Sequence, residues 1–288
     1  MYLSIVILTA TAILLLFKIA SKFNTNNLHI ITIHYFIAAC LGIFISLSQG
    51  MNINYIRYSW FGWSILYGLF FIFGFLFFGY SAQKSGITST AISTRVSVII
   101  PVILGFILFK DVINNYIIAG IFIAVISLIL INLPEKSNAL NTQNSKTNFV
   151  VLIPVLLFFL MGINDSIIKL AQYYLVQNDN YSEFISSCFL FATLGGVVTM
   201  FITKKIKFTM SSIIFGCILG ILNYVNFKSL LLGLSSMPVS RFIPIYNIGV
   251  VILSSLTGIL AFKEKVSTVN IIGIIFAVLS IILLTTGS

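Results

Sequence analysis

The sequence contains very little charge. Only 8% of its 288 residues are charged and 59% are hydrophobic, whereas soluble domains carry about 25% charged and 45 to 50% apolar residues. A water-soluble fold could not bury that much apolar surface. The composition therefore excludes an ordinary soluble globular protein.

Acidic residues are the scarcest charged residues. Six Asp and Glu stand against sixteen Lys and Arg, and the net charge is +10. In a soluble protein such a charge would indicate nucleic acid, but here most bases lie in short loops between apolar stretches. We interpret them as charges that set membrane topology beside anionic lipid headgroups, so the expected partner is a lipid bilayer and not nucleic acid.

Residues typical of metal sites and catalysis are also few. The three cysteines, Cys40, Cys188 and Cys217, each lie inside an apolar segment without the paired spacing of a metal site or a disulfide framework. The histidines are His29 and His34, and there is no His-Glu-x-x-His motif. We predict no metal, no cofactor and no catalytic residues, and hence no enzyme.

Long apolar runs are what the sequence does contain. A helix needs about 20 mainly apolar residues to cross a bilayer, and we predict an all-α integral membrane protein with ten transmembrane helices. The first one follows Met1 without a basic region or a cleavage site, so we expect it to remain in the mature protein. The predicted spans are Tyr2 to Ala20, His29 to Ser48, Trp60 to Ala82, Ile87 to Phe109, Asn115 to Leu133, Phe149 to Tyr173, Ser182 to Thr203, Ser211 to Leu234, Val239 to Phe262 and Thr268 to Thr286.

The longest polar stretch, residues 134–148, lies near the middle of the chain and is typical of a flexible connector. It separates residues 1–133, with five predicted helices, from residues 149–288, with five more. We therefore predict two five-helix repeats joined by a polar linker.

The two halves share a pattern of small and charged residues. Shifts of 153 residues near the end of each half and 154 residues in helices two and seven bring these residues into register. Because each half has an odd number of helices, the second copy enters the membrane from the opposite side, and such inverted repeats place a substrate site between the halves near the bilayer midplane. The matching residues are Phe109-Lys110-Asp111 with Phe262-Lys263-Glu264, Gly120 with Gly273, Ser127 with Ser280, Ala38 with Ala192 and Gly42 with Gly196.

Several segments carry a family resemblance. Residues 86–101, residues 104–111 and the glycine-led fifth helix from Gly120 form one copy, and residues 234–240 and 258–264 with Gly273 form the second. They resemble the drug/metabolite transporter superfamily, in particular its ten-helix EamA-like branch. The resemblance implies export or exchange of amino acids, other metabolites or drugs by alternating access.

One departure from the superfamily matters. Its small multidrug resistance branch relies on a glutamate in the first helix, and residues 1–20 of this chain contain no acid. The sequence therefore disfavours a proton-coupled organic-cation exporter of that kind.

Ionisable groups inside the membrane cost about 2.5 to 3.5 kcal/mol each on insertion scales, so they indicate a function, a partner or a wet cavity. The embedded groups are mostly basic, which suits a substrate with a carboxylate or phosphate, since guanidinium binds such groups with paired donors. We predict that the substrate-binding residues are Arg95, Asp165, Lys169, Asn223, Tyr224, Asn226, Lys228, Arg241, Tyr246 and Asn247.

Asp165 allows two interpretations. Asp165, Lys169 and Gln172 share one face of helix six, and an acid four residues before a base is the favourable order for an intrahelical pair. Asp165 is either half of a structural ion pair or a carboxylate that couples protons or contacts substrate. The sequence does not decide between the two.

Helix four has a stripe of small residues, which predicts a close helix-packing face. Arg95 points nearly the opposite way at 100° per residue, towards a cavity or an interface. The stripe consists of Thr90, Ser93, Ser97, Pro101 and Gly105.

Loop charge gives a strong orientation bias. By the positive-inside rule the odd-numbered loops are cytoplasmic and both termini lie outside, whereas the family resemblance implies cytoplasmic termini; both orientations stay open. The bases in odd-numbered loops are Lys22, Lys84, Lys136, Lys146, Lys204, Lys205, Lys207, Lys263 and Lys265, against Arg57 and Lys110 in the even-numbered loops.

Together these patterns predict a multi-pass carrier in the cytoplasmic membrane. It would export or exchange a small metabolite, such as an amino acid or another carboxylate-bearing solute, by alternating access. The alternatives are an efflux carrier for drugs or organic cations, or a membrane scaffold or sensor without transport activity. Both a monomer and a homodimer are compatible with the sequence.

Overall fold

The computed structural model describes residues 1–23, 25–50, 55–85, 87–111, 114–131, 148–176, 178–204, 208–262 and 267–286. The regular structure in these ranges is helical, with short 3-10 helices at Tyr55–Arg57 and Asn178–Asn180. The α-helices are α1 (Tyr2–Ala20), α2 (Asn27–Ser48), α3 (Phe61–Ser85), α4 (Ile87–Val96), α5 (Ile99–Leu108), α6 (Asn115–Ile131), α7 (Asn148–Tyr174), α8 (Tyr181–Ile202), α9 (Met210–Ser236), α10 (Val239–Phe262) and α11 (Thr268–Thr286).

The predicted membrane spans are confirmed. Within the described ranges, nine spans are long and apolar enough to cross a membrane, and Asn115–Ile131 is a shorter apolar helix. Large apolar side chains lie exposed on these helices, such as Phe44 (70% exposed) and Leu260 (79%), as expected of surfaces that face lipid. The chain is a multi-pass membrane protein. The connector at 134–148 falls outside the described residues, except for its last residue.

The fourth predicted span differs from the prediction because it is interrupted. It is divided into α4 and α5, although Thr90–Leu108 still forms a single membrane span. Pro101 explains the interruption, because it has no N–H to donate to the carbonyl of Ser97, four residues earlier. That carbonyl accepts the N–H of Ile100 at 3.0 Å instead, so the chain tightens for one turn.

The helices form two compact units. The first unit comprises Met1–Phe73 and Ile167–Ser236, and the second comprises Gly74–Ser166 and Met237–Ser288. Each unit combines elements from both halves of the sequence, and α3 and α7 each contribute one part to each unit. The division of the chain into repeats at 1–133 and 149–288 stays a prediction about the sequence.

In the first unit, α2 packs on α8 through a glycine from each helix. A Cβ on Gly42 would lie 2.7 Å from Cβ of Ser186, and one on Gly196 would lie 2.5 Å from Oγ1 of Thr32. Both Gly42 and Gly196, and Thr32 and Ser186, are 154 residues apart. The close packing therefore has the two-fold symmetry that the repeat predicts.

The core of the first unit is rich in aromatic side chains. Phe71 and Phe189 stack with ring centroids 5.8 Å apart, and Phe227 lies 5.4 Å from Phe189 and 5.6 Å from Phe71. Tyr35 and Tyr67 border the same rings. These rings bring α2, α3, α8 and α9 together by burying a large apolar area.

In the second unit, α6 and α11 make reciprocal hydrogen bonds. The Ser127 hydroxyl donates to the carbonyl of Gly273 at 2.9 Å, and the Ser280 hydroxyl donates to the carbonyl of Gly120 at 2.8 Å. The two serines are 153 residues apart, as are the two glycines. The residues that the sequence register paired thus make equivalent contacts.

The Phe-Lys-Asp motif of the first repeat ends α5 and caps α10. Lys110 has a left-handed backbone (φ 54°), which ends the helix after Phe109. The chain then turns so that Oδ2 of Asp111 accepts the backbone N–H of Ser240 at 2.9 Å. A carboxylate at a helix N-terminus satisfies a donor that has no intrahelical partner. The matching residues 263 and 264 lie outside the described part of the chain.

Candidate functional site

A charged cluster lies in the second unit beside the break between α4 and α5. Arg95 lies in the last turn of α4, two residues before Ser97, whose carbonyl lacks its normal helical partner. Interrupted transmembrane helices are a recurring feature of transporter binding sites, because they bring polar backbone to a cavity. We call Arg95, Asp165, Tyr246 and Asn247 the Arg95 cluster.

A hydrogen bond holds the Arg95 guanidinium. Its Nη1 donates to Oδ1 of Asn247 at 3.1 Å, and Nδ2 of Asn247 donates to the carbonyl of Ile243 at 3.1 Å. Asn247 is buried, and the second bond fixes which way its amide points. Asn247 therefore positions Arg95 from α10.

Two more predicted residues complete the Arg95 cluster. Asp165 of α7 and Tyr246 of α10 each interact electrostatically with Arg95, and with each other. An acid and a base inside a membrane protein lower the cost of burying one another. The cluster thus combines an arginine on α4, an acid on α7 and two polar side chains on α10.

The guanidinium retains donors for a ligand. It has five N–H groups in a planar fork, and within the described residues one hydrogen bond, to Asn247, is formed. Arg95 as a whole residue is partly buried. Such a fork binds a carboxylate with two parallel hydrogen bonds.

Arg241 also lies in the second unit, in the first turn of α10, and is partly buried. The small stripe opposite Arg95 is mostly buried as predicted, since Ser97 is 1% exposed and Pro101 and Gly105 are buried. A Cβ on Gly105 would lie 2.6 Å from Val239, so this face of α5 packs closely.

The first unit contains the remaining predicted residues. Nζ of Lys228 donates to Oγ of Ser182 at 3.2 Å, and the Tyr224 hydroxyl lies 3.0 Å from the same Oγ. Lys228 also lies 5.9 Å from the centre of the Tyr224 ring, within range of a cation–π interaction. These contacts link α9 to the first turn of α8.

Lys169 makes short hydrogen bonds to neutral oxygens. Its ammonium donates to Oε1 of Gln172 at 2.8 Å and to the carbonyl of Leu234, in the last turn of α9, at 2.6 Å. Gln172 in turn donates to the Tyr181 hydroxyl at 3.3 Å. A lysine bound to the last carbonyls of a helix is a familiar C-terminal cap, so these contacts favour a structural role for Lys169.

Asn226 joins two helices of the first unit. Its Nδ2 donates to the carbonyl of Val6 at 3.0 Å and to the Thr9 hydroxyl at 2.9 Å, which joins α9 to α1. Asn223 lies on the same helix and is partly exposed. The contacts of Asn226 favour a packing role, while its predicted contact with substrate stays a prediction.

Sequence reasoning overlooked Glu183. It lies in the first turn of α8 and is 0% exposed, and neither carboxylate oxygen has a hydrogen-bond partner among the described residues. An acid at the start of a span is normally solvated, so its position gave no warning. The signal that could have found it is the run of small polar residues around it, Ser182, Ser186 and Ser187.

Tyr55 borders Glu183 from outside the spans. The pKa of Tyr55 lies above its usual value, mainly because the phenol is partly buried. The hydrogen bond to Ser186 lowers this pKa in part, whereas the nearby charge of Glu183 raises it further. The phenol is therefore neutral at physiological pH. Within the described residues no group of three or more His, Cys, Asp or Glu could hold a metal ion.

Comparisons with known proteins agree with this architecture. An uncharacterized protein of Haemophilus influenzae is 27% identical over 287 residues, which cover 96% of this chain and 94% of the relative. A crystal structure with 13% sequence identity superposes with a TM-score of 0.80 over 99% of this chain and 95% of its own, and so shares the fold. The sequence profile of the EamA-like transporter family matches residues 1–133.

Proposed function

Because this chain belongs to the drug/metabolite transporter superfamily, we propose that it transports amino acids across the cytoplasmic membrane by alternating access, as an exporter or exchanger. The observation that carries the proposal is the Arg95 cluster. It supplies a guanidinium, a carboxylate and neutral polar groups beside an interrupted membrane helix.

The chemistry of the cluster matches both ends of an amino acid. The Arg95 fork binds a carboxylate, and Asp165 offers a negative charge to an ammonium group. A substrate with both charges replaces the attraction between Arg95 and Asp165 with its own contacts. A simple carboxylate would satisfy Arg95 but leave the Asp165 charge without a new partner.

In this proposal Asn247 positions the Arg95 guanidinium, and the Tyr246 hydroxyl makes a polar contact with the substrate. Asn247 already orients Arg95, and the Tyr246 hydroxyl can donate to or accept from a ligand. Asp165 acts as the counter-ion of Arg95 and the partner of the substrate ammonium. In this scheme it does not itself need to carry a coupling proton.

Uptake into proteoliposomes that contain the purified chain tests the proposal. The probes are radiolabelled L-leucine, L-threonine and L-glutamate, with 4-methylpentanoate as the analogue of leucine that lacks the amino group. We expect counterflow of at least one amino acid. Transport of the organic cation tetraphenylphosphonium alone would favour a drug carrier, and binding or transport of none of these probes would contradict the proposal.

Two substitutions separate the two charges of the site. Arg95→Gln should weaken apparent affinity for amino acids and for 4-methylpentanoate alike, because losing one partner of a buried charged contact costs about 2 to 5 kcal/mol, more than ten-fold in affinity. Asp165→Asn should weaken binding of leucine more than binding of 4-methylpentanoate.

Arg57→Gln is the matched control, since Arg57 lies exposed in a short 3-10 helix between membrane spans. It should leave transport unchanged. Equal losses of leucine and 4-methylpentanoate in Asp165→Asn would contradict the role of Asp165 as the ammonium partner.

A further inference from the structure

We propose that the buried Glu183 carboxylate binds a single Na⁺ ion together with hydroxyl oxygens of the first unit. The sequence analysis predicted no metal site because Cys and His are scarce, but hard cations such as Na⁺ take oxygen ligands and need neither. The site shares no residue with the Arg95 cluster and does not rest on the proposed transport function.

The Glu183 side chain is buried in a way that calls for a positive charge. It is 0% exposed, and both carboxylate oxygens lack a hydrogen-bond partner among the described residues. A buried carboxylate is costly unless a positive charge or hydrogen-bond donors compensate it. A cation held against the two oxygens supplies that compensation.

The hydroxyl groups near Glu183 direct their hydrogens at other oxygens. Ser186 donates its one hydrogen to the backbone carbonyl of Glu183 at 2.9 Å, so Tyr55 supplies the hydrogen in its 2.8 Å contact with Ser186. Ser64 likewise donates to a backbone carbonyl at 2.7 Å, so Ser187 supplies the hydrogen in their 2.7 Å contact. These hydroxyls retain oxygen lone pairs, which bind a cation and not an anion.

Oxygen atoms from several elements lie near the carboxylate. The phenols of Tyr55, which precedes α3, and Tyr224, on α9, both interact electrostatically with Glu183. The Tyr224 hydroxyl also lies 3.0 Å from Oγ of Ser182, the residue before Glu183. A carboxylate with neutral oxygens is the kind of ligand set that hard cations take.

Charge and space favour a small monovalent ion. Glu183 supplies one negative charge, and the described residues contain no group of three or more His, Cys, Asp or Glu that could hold a metal ion through several such ligands. At 0% exposure, no space as large as a water molecule borders the side chain. Na⁺ without its hydration water is smaller than a water molecule and K⁺ is larger than Na⁺, so we expect Na⁺ to bind more tightly than K⁺.

Lys228 is the alternative counter-ion. Its ammonium donates to Ser182 at 3.2 Å and lies 5.9 Å from the centre of the Tyr224 ring, and it makes no hydrogen bond to the Glu183 carboxylate. If Na⁺ occupies the site, the lysine is a repelling neighbour. Lys228→Met should then strengthen Na⁺ binding.

Equilibrium binding of radioactive Na⁺ to the purified chain tests the site without any transport substrate. We expect saturable binding that unlabelled Na⁺ displaces and K⁺ displaces only weakly. Glu183→Gln should weaken the affinity by more than about ten-fold, because the charged ligand is lost. The matched control Asp179→Asn changes an exposed acid four residues earlier and should bind Na⁺ as the wild type does.

Thermal unfolding gives a second measure, because a ligand that binds the folded state raises the melting temperature. Replacing choline chloride with NaCl at equal concentration should raise the melting temperature of the wild type and of Asp179→Asn. It should not raise that of Glu183→Gln, and KCl should have a smaller effect on the wild type than NaCl.

Absence of saturable Na⁺ binding from the wild type would overturn the proposal, whether or not Glu183→Gln folds. Unchanged Na⁺ affinity in a folded Glu183→Gln variant, or equal displacement by K⁺, would overturn it as well. Na⁺ binding that appears only in Lys228→Met would identify the lysine as the counter-ion of Glu183 and would equally contradict the proposal.

Discussion

The two units are built on the same plan but use polar groups differently. Each contains a pair of helices related by the internal repeat, α2 with α8 in the first unit and α6 with α11 in the second. In the first pair a glycine on each helix meets a small polar side chain, whereas the second pair adds two reciprocal hydrogen bonds. Repeated sequence thus preserves which helices pack together, while each pair is stabilised by different contacts.

The polar interiors differ as well. The second unit places a guanidinium and a carboxylate beside a helix break, which suits a ligand with two charges. The first unit instead buries the Glu183 side chain near Ser186 and Ser64, whose hydroxyls donate to backbone carbonyls.

The largest effect on stability is expected from Gly42→Ala in the first unit. Its Cβ would lie 2.7 Å from Ser186 and 3.1 Å from the carbonyl of Ser182. Overpacking of this kind costs about 1 to 3 kcal/mol, to be measured as the free energy of unfolding in mixed detergent micelles. The control is Gly62→Ala, because a Cβ on Gly62 meets nothing within 4 Å. Equal stability of the two variants would refute the close α2–α8 contact.

A smaller effect is expected from Asp111→Ala in the second unit. The substitution removes the acceptor of the Ser240 N–H at the start of α10, and losing a helix cap costs about 1 kcal/mol. Asp111→Asn retains an oxygen in the same place and should recover most of the loss. Thermal unfolding followed by size-exclusion chromatography can compare the two variants. If Asp111→Ala matched the wild type, the motif would not act as a cap.

The smallest effect is expected from Ser127→Ala and Ser280→Ala. Each removes one of the reciprocal hydrogen bonds between α6 and α11, and such interhelical bonds in membranes contribute about 0.6 kcal/mol on average. Because the two contacts are symmetric, we expect nearly equal losses in the free energy of unfolding. A large difference between the two variants would break the symmetry that the comparison assumes.

Much of the fold could be predicted from local sequence. Apolar runs identified the spans, and the 153-residue register identified Ser127, Ser280, Gly120 and Gly273 as equivalent before any contact was known. The interruption at Ser97 was not predicted, although Pro101 was visible. Whether a proline breaks, kinks or merely ends a helix depends on what its neighbours can hydrogen-bond.

The candidate site was predicted only in part. Arg95, Asp165, Tyr246 and Asn247 were all selected, because ionisable and amide groups in apolar spans are costly. That these residues lie together was not predicted. The 153-residue register aligns Arg95 with Ile248, whereas its hydrogen-bond partner in the structure is Asn247. Lys169 and Asn226 were selected by the same rule, yet their hydrogen bonds favour roles in helix packing.

By itself the sequence determined that the chain crosses the membrane repeatedly and that its halves are related, because hydropathy and small-residue patterns are properties of single helices. Only the tertiary structure decided that each compact unit combines both halves and that Arg95 meets Asn247. It also decided that Glu183 is buried with no hydrogen-bond partner for its carboxylate among the described residues. Burial and pairing depend on which helix faces cover a side chain, and residues far apart in the chain provide those faces.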